Sequence, residues 1–327
     1  MKCAICNEGN ALEASRQVTR QFRGEDYVIN ESFYNCDSCK AEYSSTEQDQ
    51  LAVTQVYNLY REKYRILFPD QIKAIRERYQ LSASKMSEVL GFGINTYRNY
   101  ENGEIPNQPH SELIMLISDP IIFKRTFERK RDTLKSNEYS RLSNLVDELR
   151  QHSESPTLRI NTHCIPNEYT GFKKPNIKKI TNVLLYFLHH IADDTDKVKL
   201  NKLFFYSDFY HYKKTGYSIT GITYRANLYG PSPTNHDVIY PYLENIGVIE
   251  ASYDTAYREF FNPVKTMEEE CFNESEHITL KHIHGKLGAL TTGEIKDVSH
   301  KETAWTELNS EKKEINYQKY AFALKGV

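Results

Sequence analysis

Four of the six cysteines in the chain form two closely spaced pairs near its start. Cys3-Ala4-Ile5-Cys6 and Cys36-Asp37-Ser38-Cys39 are both C-x-x-C pairs, and the segment 7–35 separates them. Two such pairs supply four thiolates, the ligand set that Zn²⁺ binds in closed tetrahedral structural sites. We therefore predict one structural zinc ion at Cys3, Cys6, Cys36 and Cys39. Free thiols and a redox pair are the alternative interpretations.

The segment between the two pairs must bring them together. Residues around Val18 and Phe22 predict one strand, and the run from Tyr27 to Phe33 predicts the returning strand. Arg23-Gly24-Glu25-Asp26 is the predicted turn. A β-hairpin of this kind places both cysteine pairs at the same end, where they can complete one site.

A second stretch, from Pro69 to Ile117, has the pattern of short helices separated by glycine-bearing turns. Ser82 is suited to cap one helix, and Gly91 suits the left-handed residue that ends it. In the next helix, beginning near Ile94, Tyr97 and Tyr100 lie on one face. A tight turn followed by a helix with a polar outward face presents side chains to the DNA major groove. The residues predicted to contact DNA are Asn95, Thr96, Arg98 and Asn99. The alternative is a helical packing module that never meets DNA.

Composition and hydropathy are ordinary for a soluble globular protein, with 39% hydrophobic and 26% charged residues among 327. No apolar run approaches the ~20 residues that span a bilayer, and the start lacks the pattern of a signal peptide. We expect a cytoplasmic protein with no membrane partner. In that compartment, paired cysteines favour a metal over a disulfide.

Charge is distributed unevenly along the chain, although the net charge is only −2. Residues 61–150 carry 16 basic and 13 acidic side chains and are the only positive third. This agrees with phosphate contacts in the region that has the DNA-reading pattern. The basic clusters Lys124-Arg125 and Arg129-Lys130-Arg131 fit either phosphate contacts or a solvated helix face, and we favour the solvated face.

The remaining chain changes character at residues 151–175, where prolines and a glycine interrupt polar sequence and predict a linker. Helical periodicity resumes at Asn176. The predicted fold class is mainly α with small β elements. The four predicted parts are a zinc-bound β-hairpin module at 1–50, a helix-turn-helix domain with flanking helices at 51–150, the linker at 151–175, and a mostly helical domain with a small sheet at 176–327.

Several histidine and carboxylate groups could be drawn as catalytic or metal sites. They are His189, His190, Asp193 and Asp194; Asp208 and His211; and His277, His282 and His284. None has the spacing of a known mechanism, and no phosphate-binding loop or nucleophile elbow accompanies them. We therefore predict that the chain is not an enzyme. An enzyme in which His300 works in a cleft is kept as the weaker hypothesis.

The two cysteine pairs, the intervening hairpin with Phe22-Arg23-Gly24 and the helix-turn-helix together resemble the MqsA family of antitoxins, over residues 1 to about 120. The helix-turn-helix itself, with Leu90-Gly91 and Tyr100-Glu101-Asn102-Gly103, resembles the Xre/Cro type. The MqsA resemblance implies a zinc domain that grips a toxin and a domain that dimerises and binds operator DNA. Asn95 matches an asparagine of that family, whereas Asn99 stands where its members tend to carry a base-reading arginine.

Further along, Lys199-Leu200-Asn201-Lys202-Leu203-Phe204-Phe205-Tyr206, Tyr229-Gly230-Pro231, His300 and Trp305 resemble the SocA/Panacea domain, over about residues 176–325. The resemblance implies neutralisation of a co-encoded toxin, most often by direct binding, and proteolytic adaptation in one branch. The residues that it singles out build either the core of the domain or a shared pocket, and we favour the core.

Taken together, these patterns predict an antitoxin of a type II toxin–antitoxin system. We expect a homodimer that represses its own operon by binding operator DNA and that binds a cognate toxin through residues 176–327. The sequence does not identify which residues bind the toxin. The alternatives are a transcription regulator whose C-terminal domain senses a ligand, and a proteolytic adaptor.

Overall fold

The computed structural model describes residues 1–129, 136–151, 165–191 and 195–327. Contacts divide the chain into two compact units, Tyr57–Leu158 and a unit that combines Met1–Val56 with Arg159–Val327. The cysteine-bearing segment and the C-terminal region therefore share one unit. The division into four sequence domains stays a prediction. None of the helices in the described ranges combines the length and apolarity that a membrane crossing requires.

The N-terminal segment forms the predicted hairpin. Strand β1 (Ala11–Phe22) pairs antiparallel with β2 (Glu25–Cys36), and the short β3 (Glu42–Tyr43) adds to β2. Arg23 and Gly24 form the turn with φ of 49° and 83°. Positive φ at both central residues gives a turn whose twist matches the flanking strands. Helix α1 (Thr46–Tyr64) follows.

Three buried amide side chains connect this hairpin to the C-terminal region. Asn30 Nδ2, on β2, donates to the backbone oxygen of Gln318 at 3.0 Å. Gln55 Nε2, on α1, donates to the backbone oxygen of Asn30 at 2.8 Å, while Gln55 Oε1 accepts from Asn30 N at 3.0 Å and Gln318 Nε2 at 2.9 Å. An unsatisfied buried polar group costs about 1–3 kcal/mol. This amide network therefore favours one arrangement of the hairpin on the C-terminal region.

The second unit is entirely helical in its described part. Pro69 begins its first complete helix, and Ser82 Oγ accepts from Lys85 N at 3.2 Å to cap the next helix, as predicted. Gly91 then ends that helix with φ of 75°. A stack of Tyr79 on Phe123, with ring centroids 3.7 Å apart, lies in the core. The helices are α2 (Pro69–Arg78), α3 (Ala83–Leu90), α4 (Thr96–Glu101), α5 (Gln108–Leu116), α6 (Pro120–Glu128) and α7 (Ser136–Gln151).

The C-terminal region is helical with two small hairpins, which confirms the predicted fold class. Its helices are α8 (Ile177–His190), α9 (Lys197–Thr215), α10 (His236–Asn245), α11 (Glu274–Leu287), α12 (Thr292–His300), α13 (Thr303–Leu308) and α14 (Tyr317–Tyr320). The hairpins pair β4 (Tyr224–Asn227) with β5 (Gly230–Pro233) and β6 (Ile249–Tyr253) with β7 (Glu259–Pro263). Short 3₁₀ turns lie at Glu269–Cys271 and Ala321–Ala323.

Helix α9 is the central element of this region. Thirteen of its 19 residues are buried, and it packs against α8, α11, α12 and β5. A helix that is buried on all sides must be covered by other elements. Its polar residues therefore have to find partners inside the protein.

Several elements differ from the sequence expectations. The sequence predicts a small hairpin that pairs Val248-Ile249 with Glu259-Phe260-Phe261. The hairpin is present, but residues 259–261 lie opposite residues 251–253, and Ile249 lies opposite Pro263. Strand β5 was not predicted. In the segment predicted to be a linker, Phe172 is fully buried, so residues 165–175 pack into the C-terminal core. Residues 152–164 of that segment, with Lys130, Arg131, Asp193 and Asp194, lie outside the described residues.

Asp208 and His211 of α9, one of the candidate groups for chemistry, are buried structural residues. The Asp208 carboxylate accepts from the backbone of Ile219 and Thr220 at 2.8 and 2.9 Å and from the Tyr224 hydroxyl at 2.7 Å. Burial raises the pKa of Asp208 to about 6. His211 Nδ1 lies 2.8 Å from the Tyr217 carbonyl oxygen. Burial lowers the pKa of His211 to about 4.

The buried His211 predicts a loss of stability in acid. Its pKa is about 4 in the folded protein and 6.5 in the unfolded chain, which therefore binds more protons between these values. The contribution of His211 to stability should therefore fall as the pH falls from about 6.5 to 4, by up to about 3 kcal/mol. The measurement is the free energy of unfolding by urea at several pH values for wild type and His211→Gln.

The free energy of unfolding of His211→Gln should depend less steeply on pH over that range than that of wild type, whatever the stability of the variant at neutral pH. His189→Gln, at an exposed position on α8, is the matched control and should keep the wild-type slope. Equal slopes for wild type and His211→Gln would contradict the assignment.

Candidate functional site

The β1–β2 hairpin brings together the four thiols that are predicted to bind zinc. The Sγ atoms of Cys3 and Cys39 are 3.9 Å apart, those of Cys6 and Cys36 are 3.7 Å apart, and all four lie within 4.8 Å of one another. A tetrahedral zinc site with Zn–S bonds of about 2.3 Å has S–S edges of roughly 3.8 Å. The thiols are therefore spaced to bind one tetrahedral metal ion of the Zn²⁺ type.

Both cysteine pairs have the same backbone turn. Asn7 N donates to the Cys3 carbonyl oxygen at 3.0 Å, and Lys40 N donates to the Cys36 carbonyl oxygen at 3.2 Å. Asn7 and Lys40 each follow the second cysteine of their pair, with φ of 59° and 60°. The two turns thus present their sulfurs in equivalent ways, although their sequences differ.

Backbone amides stabilise negative charge on the first pair. Gly9 N lies 3.5 Å from Cys6 Sγ, and hydrogen bonds from the backbone of Gly9 and Glu8 lower the pKa of Cys6 to about 6. The pKa of Cys39 moves the other way, to about 12. The Ala41 amide lowers it, but desolvation and the neighbouring thiols outweigh that amide. A metal ion would displace the protons of the remaining thiols, because it binds the thiolate form.

The cysteine cluster leaves no space for a side chain at position 9, which is a glycine. A Cβ atom at this position would lie 2.5 Å from Cys36 Sγ and 2.6 Å from Ser38 Cβ. Next to it, Asn10 N donates to Asp37 Oδ1 at 2.7 Å and Asp37 N donates to the Asn10 oxygen at 3.0 Å. The two turns are therefore in direct contact at Gly9 and Asn10. Gly9 was not predicted, because a contact between positions so distant in sequence leaves no local signal.

In the helix-turn-helix, two buried tyrosines hold α4. Tyr97 N donates to Ser87 Oγ at 3.1 Å, and the Tyr97 hydroxyl donates to the Ile72 carbonyl oxygen at 2.8 Å. The Tyr100 hydroxyl lies 2.7 Å from His110 Nδ1. Both tyrosines are buried, as their spacing predicted. They connect α4 to α2, α3 and α5.

A mostly buried ion pair reinforces the same arrangement. Arg76 on α2 contacts both carboxylate oxygens of Glu101 on α4, at 2.5 and 3.1 Å. Arg76 Nη1 also donates to the Leu81 carbonyl oxygen at 2.7 Å, just before α3. A bidentate arginine–carboxylate pair fixes orientation as well as distance. Contacts on the inward face of α4 thus fix the position of the helix and the direction in which its outward face points.

The predicted DNA-contacting residues have different environments. Asn95, Arg98 and Asn99 are exposed and share helical spacing, whereas Thr96 is half-buried. Helix α4 starts at Thr96, two residues later than expected, and Asn95 occupies the position before it without capping the helix through its side chain. The exposed trio forms one polar face. Contact of these residues with DNA stays a prediction.

The residues singled out in the C-terminal region converge on the β4–β5 hairpin. Lys202 Nζ donates to the Pro231 oxygen at 2.7 Å, and Trp305 Nε1 donates to the Asn227 oxygen at 2.8 Å. The His300 ring stacks on Trp305 with centroids 3.8 Å apart. Lys199 is also buried. Most of these contacts are packing contacts, but Lys202 and Tyr229 also line a cavity of about 460 Å³.

Among the described residues, the other candidate histidines do not assemble into a metal site. In the described ranges, the cysteine cluster is the one group of three or more potential ligands placed to hold a metal ion. His190 Nδ1 lies 2.8 Å from the Tyr186 oxygen, His277 Nε2 lies 3.2 Å from the Glu269 oxygen, and His282 stacks on Tyr210. These rings have structural partners.

Comparison with known proteins agrees with this arrangement. Residues 1–121 match the family model described as the antitoxin component of a bacterial toxin–antitoxin system, MqsA, and residues 200–306 match that described as antitoxin SocA-like, Panacea domain. Antitoxin MqsA of Escherichia coli (strain K12) is 27% identical over 121 residues, 36% of this chain and 89% of that protein.

Both matched regions define the same class of protein, the antitoxins of toxin–antitoxin systems. The particular combination here is an MqsA-like region followed by a SocA-like Panacea region in one polypeptide. Both resemblances inferred from the sequence are confirmed. Antitoxin families of this kind indicate a regulatory role.

The cysteine geometry predicts that Gly9→Ala weakens metal binding. The added methyl group must displace Cys36 Sγ, and disturbance next to metal ligands typically costs about 10–100-fold in affinity. Competition with a chromophoric chelator measures zinc affinity of the purified full-length protein, and elemental analysis measures its zinc content, expected near one ion per chain.

Gly285→Ala on α11 is the matched control, because a Cβ there meets no atom within 4 Å. It should bind zinc as wild type does, and Cys36→Ser/Cys39→Ser should bind none. Wild-type protein prepared without chelators but free of metal would contradict the zinc assignment.

Proposed function

We propose that the chain is an antitoxin that binds operator DNA as a homodimer and neutralises a co-encoded toxin by direct contact. The observation that carries this proposal is the presence of two antitoxin-family regions on one chain. The exposed face of Asn95, Arg98 and Asn99 supports the DNA-binding part. The class of the matched relative supports the antitoxin part.

The proposed role of zinc is structural. Four protein thiols fill a tetrahedral coordination sphere and leave no position for a substrate or a reactive water. A bound ion would cross-link the two turns at the base of the β1–β2 hairpin. It would thereby stabilise the strand that carries Asn30 and its amide network.

The proposed base contacts follow from side-chain chemistry. Asparagine can make two hydrogen bonds to adenine in the major groove, which suits Asn95 and Asn99. Arg98 is suited to guanine or to a phosphate. A two-fold symmetric dimer would present two such helices to paired half-sites, about one or more helical turns apart.

The DNA-binding proposal predicts that Asn95→Ala/Arg98→Ala/Asn99→Ala loses operator recognition. Each base-contacting residue is expected to contribute ~1–3 kcal/mol, so the triple variant should bind its own promoter at least 100-fold more weakly. Fluorescence anisotropy with promoter DNA and with unrelated DNA, at two salt concentrations, separates base recognition from phosphate attraction.

The matched control is Lys73→Ala/Glu77→Ala, an exposed ion pair of 3.7 Å on α2. It should bind the promoter as wild type does. If the triple variant footprints the promoter as tightly as wild type, α4 is not the reading helix.

We propose that the toxin contacts lie in residues 176–327. Neutralisation in a cell requires nanomolar binding, which corresponds to a binding free energy of about −12 kcal/mol. Such affinity usually depends on a buried aromatic or arginine centre. Exposed apolar side chains at the two C-terminal hairpins can provide one: Leu228, Tyr229, Tyr253 and Tyr257. The zinc hairpin is the rival surface, since it exposes Leu12 and Val28.

The test should keep the chain intact, because separating the hairpin from the C-terminal region would break the amide network around Gln55. A variant with Leu228, Tyr229, Tyr253 and Tyr257 each changed to Glu is expected to lose neutralisation. The Leu12→Glu/Val28→Glu variant should retain it. Survival of cells that express the neighbouring toxin gene is the readout, with thermal melting to confirm that both variants fold.

If the four-site variant rescues the cells and Leu12→Glu/Val28→Glu does not, the toxin binds the zinc module and not the C-terminal hairpins. Loss of rescue in both folded variants would mean that the surface includes both segments, and would contradict a purely C-terminal assignment.

A further inference from the structure

A cavity beside the β4–β5 hairpin has the size and charge of a binding site. Its volume is about 460 Å³, within the range of small-molecule pockets. Helix α9, the hairpin and the start of α10 form its walls. Its cationic lining residues are Lys197, Lys202, Arg225 and Lys312, and its lining also includes the carboxylate of Asp237.

Lys202 is the unusual member of this lining. Its side chain is 1% exposed, and its ammonium group, which has three donors, bonds to the Pro231 oxygen at 2.7 Å. A buried charge without a close counter-charge is costly. Burial lowers the pKa of Lys202 to about 7. The charge of Asp196 offsets this effect of burial only in part. An anion in the cavity would add a further counter-charge and favour the charged form.

The hairpin closes tightly over this ammonium group. Gly230 has φ of 95°, and a Cβ there would lie 3.0 Å from Lys202 Nζ and 2.4 Å from Ser299 Oγ. The backbone of the β4–β5 hairpin can approach Lys202 this closely only because residue 230 has no side chain. The cavity is therefore shaped around the lysine.

The cations at the rim differ in how far they are neutralised. Lys197 lies 2.9 Å from Glu259 and 3.8 Å from Asp237, so it contributes little net charge to the cavity. Arg225 has a looser, exposed contact with Glu314 at 3.6 Å. Exposed pairs of this kind are weak and are readily exchanged for a better anion. Lys312 is exposed. We therefore take Arg225 and Lys312 as the rim cations that a ligand can reach.

We propose that this cavity binds a small phosphorylated molecule, with its phosphate held by Lys202, Arg225 and Lys312. Phosphate offers several charged oxygens to several donors, as this set requires. The cavity is larger than a single carboxylate side chain needs. Its lining includes the polar side chains of Asn227 and Ser232, which are joined by a hydrogen bond of 2.7 Å from Asn227 Nδ2 to Ser232 Oγ. This function is additional to toxin binding, although Leu228 and Tyr229 of the proposed toxin surface also line the cavity.

The test measures binding of two probes, inorganic pyrophosphate and ADP, to the full-length protein by isothermal titration calorimetry. Wild type should bind at least one of them. Arg225→Gln/Lys312→Gln and Lys202→Met should each raise its dissociation constant at least tenfold. Lys286→Gln, at an exposed position on α11, should bind as wild type does.

The rim variant keeps the proposal testable if Lys202→Met fails to fold, since its two positions are at the surface. Absence of binding of both probes to wild type, or equal binding by wild type and the rim variant, would overturn the proposal. Toxin binding is measured on the same proteins. If the variants lose the toxin while wild type binds neither probe, the cavity receives an acidic side chain of the toxin, and only the small-molecule proposal fails.

Discussion

The burial of polar groups on α9 is the constraint on which the C-terminal region depends. A carboxylate inside the protein needs donors, and Asp208 obtains them from residues 219, 220 and 224, at the start of the first small sheet. Nearer the start of the same helix, Lys202 fixes the other strand through Pro231. Two polar side chains of one helix thus position both strands of a hairpin, and the cavity beside it follows from that placement.

Local patterns predicted the parts of the structure whose determinants are close in sequence. The cysteine spacing indicated the cluster of four thiols, and the spacing of Tyr97 and Tyr100 indicated the inward face of α4. Strand β5 could not be found in this way, because Gly-Pro-Ser-Pro contains two residues without a backbone donor and lacks alternation. Its pairing is imposed by tertiary contacts with Lys202 and Ser299.

The packed segment at residues 165–175 shows a related limit of sequence reading. Glycine and proline predict a loop, and the structure has one, but composition does not distinguish a free loop from one that fills a core. Phe172 is fully buried, and Gly171 adopts φ of 59° in contact with Ser218. The cavity was equally hidden, since Lys202, Arg225 and Lys312 have no common period in the sequence.

The amide network between Asn30 and Gln318 has a consequence for the order of events during synthesis. The two residues are 288 positions apart, so at about 5–20 residues per second a ribosome needs roughly 15–60 s to make the partner of Asn30. All four cysteines are present as soon as Cys39 has been added. The four thiols of the nascent hairpin can therefore meet a metal ion early. The face of the hairpin that contacts the C-terminal region, in contrast, stays hydrated until translation has nearly reached the end of this sequence.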